Sequence, residues 1–360
     1  MIDADNAFLA ADEAFCKGER DGYKGCRRAR RGGVRPFAAA RLEQYLKILG
    51  IVLLAVLAAL AIVWAKLRGP DIAYETLEAQ FADHASRFID LPGGLHVHYQ
   101  DEGHASLPLL VLLHGFGDSY TTWDGWVREL GGQFRIIRLD FPGHGLTRAP
   151  PDYVLRGDAL AEFVDAFAAK LDLPRFAVAG NSMGGSVAWQ LALRHPERID
   201  ALVLLDAAGF PNEKPTAALP LAFRILKYRL GRVLLQNIDN RPLIDDSLKA
   251  DVYDKSVITP AFVDRWAEFQ RAPGHRAILM SIDQASLNSA SAPILQYLRA
   301  PTLVINGESD VLVEPASARK LAASIPHAKL IVYPHVGHLP QIEIPQRSAA
   351  DVAAFLQSRP

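Results

Sequence analysis

The 360-residue chain has only two cysteines, Cys16 and Cys26, both near its start. So few exclude a disulfide-built scaffold or a four-thiolate zinc site. The nine residues between them match no common ligand spacing, so no metal or redox site is expected there. Charge of either sign is in little excess: 39 Lys and Arg against 40 Asp and Glu leave −1. A dedicated nucleic-acid binder, whose affinity rests on a basic surplus, is excluded on that ground. What abounds is apolar. Half of the residues are hydrophobic and 22% are charged, which excludes a disordered or fibrous chain.

The longest absence of charge runs from Ile48 to Ala65, ILGIVLLAVLAALAIVWA. At 1.5 Å per residue this stretch spans roughly 27 Å, close to the ~30 Å hydrocarbon core of a bilayer. Lys47 and Lys66 flank it as snorkelling cations, and Tyr45 and Trp64 sit at interfacial positions. A transmembrane helix over 48–65 is expected, because soluble helices rarely lack any polar face. Residues 1–47 hold ten Lys/Arg and seven Asp/Glu, a net of +3 that leaves −4 for the remainder. Only Lys66 and Arg68 follow closely. The positive-inside rule then places the N-terminus in the cytoplasm, the span in the cell (inner) membrane and the large C-terminal part on the extracytoplasmic side. The rival is a signal peptide cleaved after Val63-Trp64-Ala65; bulky Trp64 and the lack of a polar stretch before the site disfavour it. The tail 1–47, with its Arg-rich CKGERDGYKGCRRARRGGVR, reads as structureless. It is either a basic segment near anionic lipid or, with initiation near Val34, partly untranslated.

After a linker (66–86), short apolar runs alternate with helical text. FIDLPGGLHVHYQDEG reads as a hairpin around Pro92-Gly93-Gly94. Runs at 108–115, 134–140, 176–182, 201–206, 302–310 and 329–338 have the continuous apolar character of strands buried on both faces. Helical segments fall near 119–130, 157–171, 183–195, 315–324 and 346–357. Strand–helix alternation predicts an α/β fold, a doubly wound and mostly parallel sheet. One interval breaks the rhythm: 212–297 carries amphipathic helical text and no buried strand. It is expected to be a helical lid over the site, between a first core part (87–211) and a second (298–360).

The most specific chemical signal is Gly180-Asn181-Ser182-Met183-Gly184-Gly185, after an apolar strand and opening a helix. A nucleophile on so tight a turn needs small neighbours at −2 and +2, and Gly180 and Gly184 supply them. The helix N-terminus aims N–H groups at developing negative charge. If Ser182 is a nucleophile, an acid and then a histidine must follow. Gly307-Glu308-Ser309-Asp310 ends one strand and Pro334-His335-Val336-Gly337-His338 ends the next, at strand C-termini where open parallel sheets place their sites.

With these motifs in hand, the chain from about Phe88 to Pro360 resembles the α/β-hydrolase superfamily. His114-Gly115-Phe116-Gly117 is similar to the family's oxyanion loop and Asp140-Phe141-Pro142-Gly143-His144-Gly145 to its D-x-P-G-x-G turn. Ser182, Asp310 and His338 fall on the triad positions. HGFGDSYTTW, GNSMGG and LLDAAGF together look most like membrane-anchored or secreted lipases and esterases of the monoacylglycerol-lipase-like group. The resemblance implies that His338 deprotonates Ser182, that Asp310 orients His338, and that the backbone N–H groups of Phe116 and Met183 form the oxyanion hole. It implies a small-molecule or lipid ester as substrate, and no cofactor or metal.

Rivals stay open at several positions. Asp206 closes the preceding strand, where some relatives keep their acid, and His335 competes with His338. Glu308 reads as facing solvent or a loop partner, and His144 as a structural loop residue. His96 and His98 share one face of a strand, which reads as a surface face, since no third ligand is near in sequence. Gly115/Gly117 and Gly143/Gly145 fit no nucleotide-cradle pattern. In the lid, Trp266 and the basic set Arg224, Lys227, Arg229 and Arg232 read as helix packing with a solvated face, or as contact with a membrane surface near the pocket mouth. Among functions, ester hydrolysis leads. C–C bond hydrolysis with the same triad is the enzymatic rival, and a catalytically silent hydrolase-like binding protein is the rival of another class.

Overall fold

The structure is a computed structural model that describes residues 35–211 and 219–358. It divides into two compact units, residues 1–66 and 67–360. The first contains nearly all of one helix, α1 (Arg35–Leu67). Its stretch Arg41–Leu67 is long and apolar enough to cross a membrane. The expectation of a structureless 1–47 is therefore corrected for residues 35–47, which are helical: Ala38–Ala40, Leu42 and Glu43 are strong helix formers that extend the span backwards. The Arg-rich segment and both cysteines lie outside the described residues.

The second unit is built on eight strands: β1 (Ser86–Leu91), β2 (Leu95–Glu102), β3 (Leu109–Leu113), β4 (Arg135–Leu139), β5 (Phe176–Asn181), β6 (Ile199–Leu205), β7 (Thr302–Gly307) and β8 (Lys329–Tyr333). Their order in the sheet is β1-β2-β4-β3-β5-β6-β7-β8. The hairpin β1–β2 and the β2–β4 pair are antiparallel; every other neighbour is parallel.

The linker also departs from expectation. It contains a helix, α2 (Tyr74–Phe81), whose Leu77 is fully buried beside Tyr120, Leu146 and Phe269. Tyr74, Leu77 and Phe81 all pack toward that core, but eight residues are too short a window for their period to stand out in sequence.

Further helices are α3 (Asp124–Leu130), α4 (Gly157–Lys170), α5 (Met183–Arg194), α6 (Leu221–Leu226), α7 (Arg229–Asn237), α8 (Arg241–Asp251), α9 (Pro260–Gln270), α10 (His275–Met280), α11 (Gln284–Leu287), α12 (Ala292–Leu295), α13 (Pro315–Ser324), α14 (Pro340–Glu343) and α15 (Pro345–Gln357). Because side chains alternate along a strand, one sheet makes two cores. Leu110, Leu112, Ile136, Val203 and Ile305 pack with Trp123, Trp126, Val352 and Phe355 on the α3/α15 side. Val111, Leu113, Ile137, Leu204 and Val304 pack with Phe163, Phe167, Val187, Leu191 and Leu321 on the α4/α5/α13 side. Burial on both faces is why these strands read as unbroken apolar runs. Each such aliphatic side chain contributes roughly 1.5–3 kcal/mol. Helices α6 to α12 fill the interval between β6 and β7 and carry a small core of their own around Ile244, Leu248, Val263 and Ala267.

Candidate active site

Strand β5 ends at Asn181, helix α5 starts at Met183, and Ser182 between them has φ 54° and ψ −115°. A serine rarely adopts so strained a backbone, and it persists only where surrounding structure enforces it. Here the enforcement is explicit. The Ser182 N–H donates to the Leu205 carbonyl (3.0 Å), and its own carbonyl accepts from Ser186 (3.1 Å) and Ala208 (3.0 Å). A Cβ on Gly180 would collide with the Gly184 carbonyl, and one on Gly184 with the carbonyls of Leu113 and His114. Small residues at −2 and +2 are thus required by backbone, which cannot move aside.

Asp310 and His338 lie beyond the ends of β7 and β8, and the structure brings them together: Asp310 Oδ2 is 2.7 Å from His338 Nδ1. The other carboxylate oxygen accepts from the N–H groups of Leu312 (2.7 Å) and Val313 (2.9 Å). The His338 amide donates to the Asp251 carbonyl at 2.6 Å, and the Asn181 side chain donates to the His338 carbonyl at 3.0 Å. Burial alone would lower the His338 pKa; the charge and hydrogen bond of Asp310 outweigh it and hold the imidazole above its ordinary value. Ser182 and His338 line one pocket, which also receives Phe116. Phe116 and Met183 meet Ser182 again in an adjoining pocket. Met183 opens α5, so its N–H has no partner within the helix.

Asp206 is buried at φ 43°, with Oδ1 accepting the Gly307 N–H at 2.8 Å. Burial first, and then the charge of Asp310, drive its pKa well above the usual carboxylate range. It is a neighbour of Asp310 whose ionisation is disfavoured, while His338 Nδ1 bonds Asp310. Ligand atoms of Asp206, Asp310 and His338 do cluster within 4.8 Å. A cation there would require an ionised Asp206 and the nitrogen that already bonds Asp310, so the donor set fits a metal poorly. His335 is exposed and its ring lies 5.1 Å from that of Tyr253; Glu308 is exposed.

The His96/His98 pair is a correction. His96 is half-buried against Asp90 (2.6 Å), but His98 is fully buried, with Nδ1 2.8 Å from Asp140 Oδ2. Asp140 also accepts from the N–H groups of Tyr120 (2.8 Å) and Leu146 (3.0 Å). Burial opposes its ionisation, but these bonds, with His98 foremost, hold its pKa below the usual range. His114 bonds the Gly115 carbonyl through Nδ1 (2.7 Å) and accepts the Phe141 N–H at Nε2 (3.1 Å), which fixes it as the neutral Nδ1–H tautomer. Asp140 and His114 thereby set the loop that carries Phe116. His144 is buried and bonded to the Pro142 carbonyl (3.0 Å).

The pocket encloses about 830 Å³ including its mouth. The lid supplies apolar walls through Phe223, Leu226, Leu235, Leu243 and Ile244, and Trp266 closes another side. Among the described residues that line it there is no Lys or Arg, whereas Asp118 and Asp251 are present. Burial, above all, pushes each of these two carboxyls up to about 7. Neither was singled out by sequence, where an aspartate in loop or helix text carries no distinguishing mark. Lys227 and Glu314 both line the adjoining pocket. Arg232 donates to the carbonyls of Leu226 (2.6 Å) and Met280 (2.8 Å) and so holds the lid together, while Arg224 and Arg229 are exposed.

Residues 108–345 match the family model described as alpha/beta hydrolase fold. The chain belongs to that family. It is 32% identical over 271 residues to the 2-hydroxymuconate semialdehyde hydrolase of Pseudomonas sp. (strain CF600), covering 74% of this chain and 92% of that one. It is 29% identical over 265 residues to the pimeloyl-[acyl-carrier protein] methyl ester esterase of Nitrosomonas europaea, covering 70% and 96% respectively. A crystal structure of a bacterial membrane phospholipase A superposes with a TM-score of 0.66 at 26% identity, covering 87% of this chain and 98% of that one. The chain is therefore a hydrolase, with relatives that cleave C–C bonds and relatives that cleave esters.

Proposed function

We propose that this hydrolase cleaves neutral carboxylic esters through an acyl-enzyme on Ser182. His338 Nε2 takes the Ser182 proton as the oxygen attacks the ester carbonyl. Asp310 holds the Nδ1–H tautomer and stabilises the imidazolium. The N–H groups of Met183 and Phe116 receive the oxyanion, each donor of this kind being worth roughly 10²–10³ in rate. His338 then protonates the departing alcohol, and water activated by the same nitrogen releases the acid.

The observation that carries the ester reading is the pocket wall. A dienoate substrate of C–C hydrolysis is anionic and calls for a fixed cation. Among the described residues, the lining that Ser182 and His338 share offers two buried carboxyls and no Lys or Arg, so it supplies no fixed cation to an anion; Lys227 lines the adjoining pocket instead. C–C hydrolysis remains the second reading because of the 32% identical relative. An intact Ser182, Asp310 and His338 set argues against a silent binding protein.

The deciding experiment measures p-nitrophenyl ester turnover and fluorophosphonate labelling, beside a meta-cleavage dienoate, for wild type and Ser182→Ala. Ester turnover and labelling, both abolished in Ser182→Ala, are expected; a rate that persists in the mutant refutes the mechanism, and preference for the dienoate refutes the ester assignment. We further propose that α1 anchors the enzyme, N-terminus cytoplasmic and hydrolase outside. Release of the full chain from membranes by alkaline carbonate would refute the anchor, and protease protection from the outer side its orientation.

A further inference from the structure

Buried polar atoms in folded proteins nearly always have partners, so each exception calls for an explanation. Several of the exceptions among the described residues converge on the pocket beside Ser182: Ser247 Oγ, Asp251 Oδ1, Asn240 Oδ1 and Asp118 Oδ2 have no hydrogen-bond partner. Ser247, Asp251 and Asp118 are each more than nine-tenths buried. Asn240, Ser247 and Asp251 belong to one element, since Asn240 stands at the N-terminal boundary of α8 without a side-chain cap bond and the other two follow at spacings of seven and four. Those spacings put all three on one helix face. The same helix gives the pocket Leu243, Ile244 and Leu248. Helix α8 therefore shows the pocket an apolar wall with a polar stripe, and the stripe ends at Asp251, whose carbonyl holds the His338 amide.

A stripe of this kind, left without partners in an apolar pocket, is built to be completed by a ligand. Its chemistry can be read from the donors and acceptors. A neutral carboxylic acid and a serine hydroxyl both donate and accept; a free amide oxygen accepts. A group that itself donates and accepts, such as a hydroxyl, satisfies all of them. We infer that Ser247 and Asp251, with Asn240 and Asp118, form a subsite for hydroxyl groups on the substrate, so that the favoured esters are neutral and hydroxylated. The elevated carboxyl pKa values fit this assignment, because an acid with a pKa of about 7 is still partly protonated at neutrality and can then donate to a hydroxyl oxygen. The inference rests on the ester reading and adds the substrate class. The hydroxyls have two possible sources, a polyol leaving group such as glycerol or a hydroxylated acyl chain.

The test uses the full chain in detergent and two kcat/KM ratios. One compares 1-monooctanoylglycerol with methyl octanoate; the other compares methyl 3-hydroxyoctanoate with methyl octanoate. Wild type is expected to favour the hydroxylated ester in at least one arm, and that arm names the source. Ser247→Ala and Asp251→Leu are expected to cut the favoured ratio about three- to tenfold each, the value of one lost hydrogen bond. Asp251→Asn, which keeps a donor and an acceptor, is expected to retain more of it than Asp251→Leu. Should Asp251→Leu fail to label with fluorophosphonate, Ser247→Ala decides alone, since it removes a single oxygen. Ratios that stay within about twofold of wild type in both variants, less than one lost hydrogen bond, overturn the subsite, as does a preference for a cationic ester such as an acylcholine. A wild type inert toward every ester overturns the ester reading itself, an outcome distinct from active esters with indifferent ratios.

Discussion

Replacing Asp310 by asparagine probes the site more sharply than deleting it, because the structure dictates how the amide must sit. Asp310 Oδ1 accepts two backbone N–H groups, from Leu312 and Val313. The asparagine introduced by Asp310→Asn must keep its side-chain oxygen there, since an NH₂ group would face two donors. The amide nitrogen is thereby forced into the Oδ2 position, 2.7 Å from His338 Nδ1 in the wild type. A donor at that place obliges Nδ1 to accept, so the imidazole proton moves to Nε2. In the proposed mechanism Nε2 is the nitrogen that takes the Ser182 proton, so it would then donate where it must accept. The expected loss in kcat/KM is about 10⁴, as for other triads forced into the wrong tautomer, or ~5.4 kcal/mol of transition-state stabilisation. The assay is p-nitrophenyl butyrate hydrolysis with Ser182→Ala as the background. A loss smaller than about tenfold, or ~1.4 kcal/mol, refutes the argument and moves the acid to Asp206, whose own change to asparagine is otherwise expected to cost far less, because His338 Nδ1 bonds Asp310.

Two further outcomes follow from the same geometry. In the proposed mechanism His338 must be unprotonated to accept the Ser182 proton, and its pKa is raised, so kcat/KM is expected to fall as the pH drops through a midpoint above the ordinary histidine value of about 6.5. Loss of the Asp310 charge in Asp310→Asn removes the largest opposition to burial, leaving only the smaller contributions of Asp251 and Asp118, and moves that midpoint down; a pH profile whose midpoint stays put contradicts this. Gly184→Ala sets a methyl group against the carbonyls of Leu113 and His114, the latter 2.6 Å away. Neither can retreat without breaking β3, so the variant is expected to lose soluble expression or melt many degrees lower; a wild-type melting temperature contradicts the crowding.

The sheet was legible in sequence because strands buried on both faces show as unbroken apolar runs, and the Gly180–Gly184 turn because its crowding admits few residue types. Strand ends then marked where Asp310 and His338 had to fall. Helix α2 escaped, since its eight residues are too few for the spacing of Tyr74, Leu77 and Phe81 to declare a period. His98 escaped for a different reason: alternation shows that it shares a face with His96, but not that Asp140 of a distant loop waits beneath it. Asp118 and Asp251 could not be found at all. Their distinction is a lack of partners, which exists only once lid and core are folded together.

The bond from the His338 amide to the Asp251 carbonyl makes the lid something other than an interchangeable cassette. Gly337 sits so close to that carbonyl that a Cβ would strike it. A replacement for the lid helices must therefore present a carbonyl at this point and leave Gly337 its space, or His338, the proposed base, shifts with it. In this lineage, a change of substrate range through the lid and retention of the catalytic machinery are a single problem, and the end of α8 is where both must be solved at once.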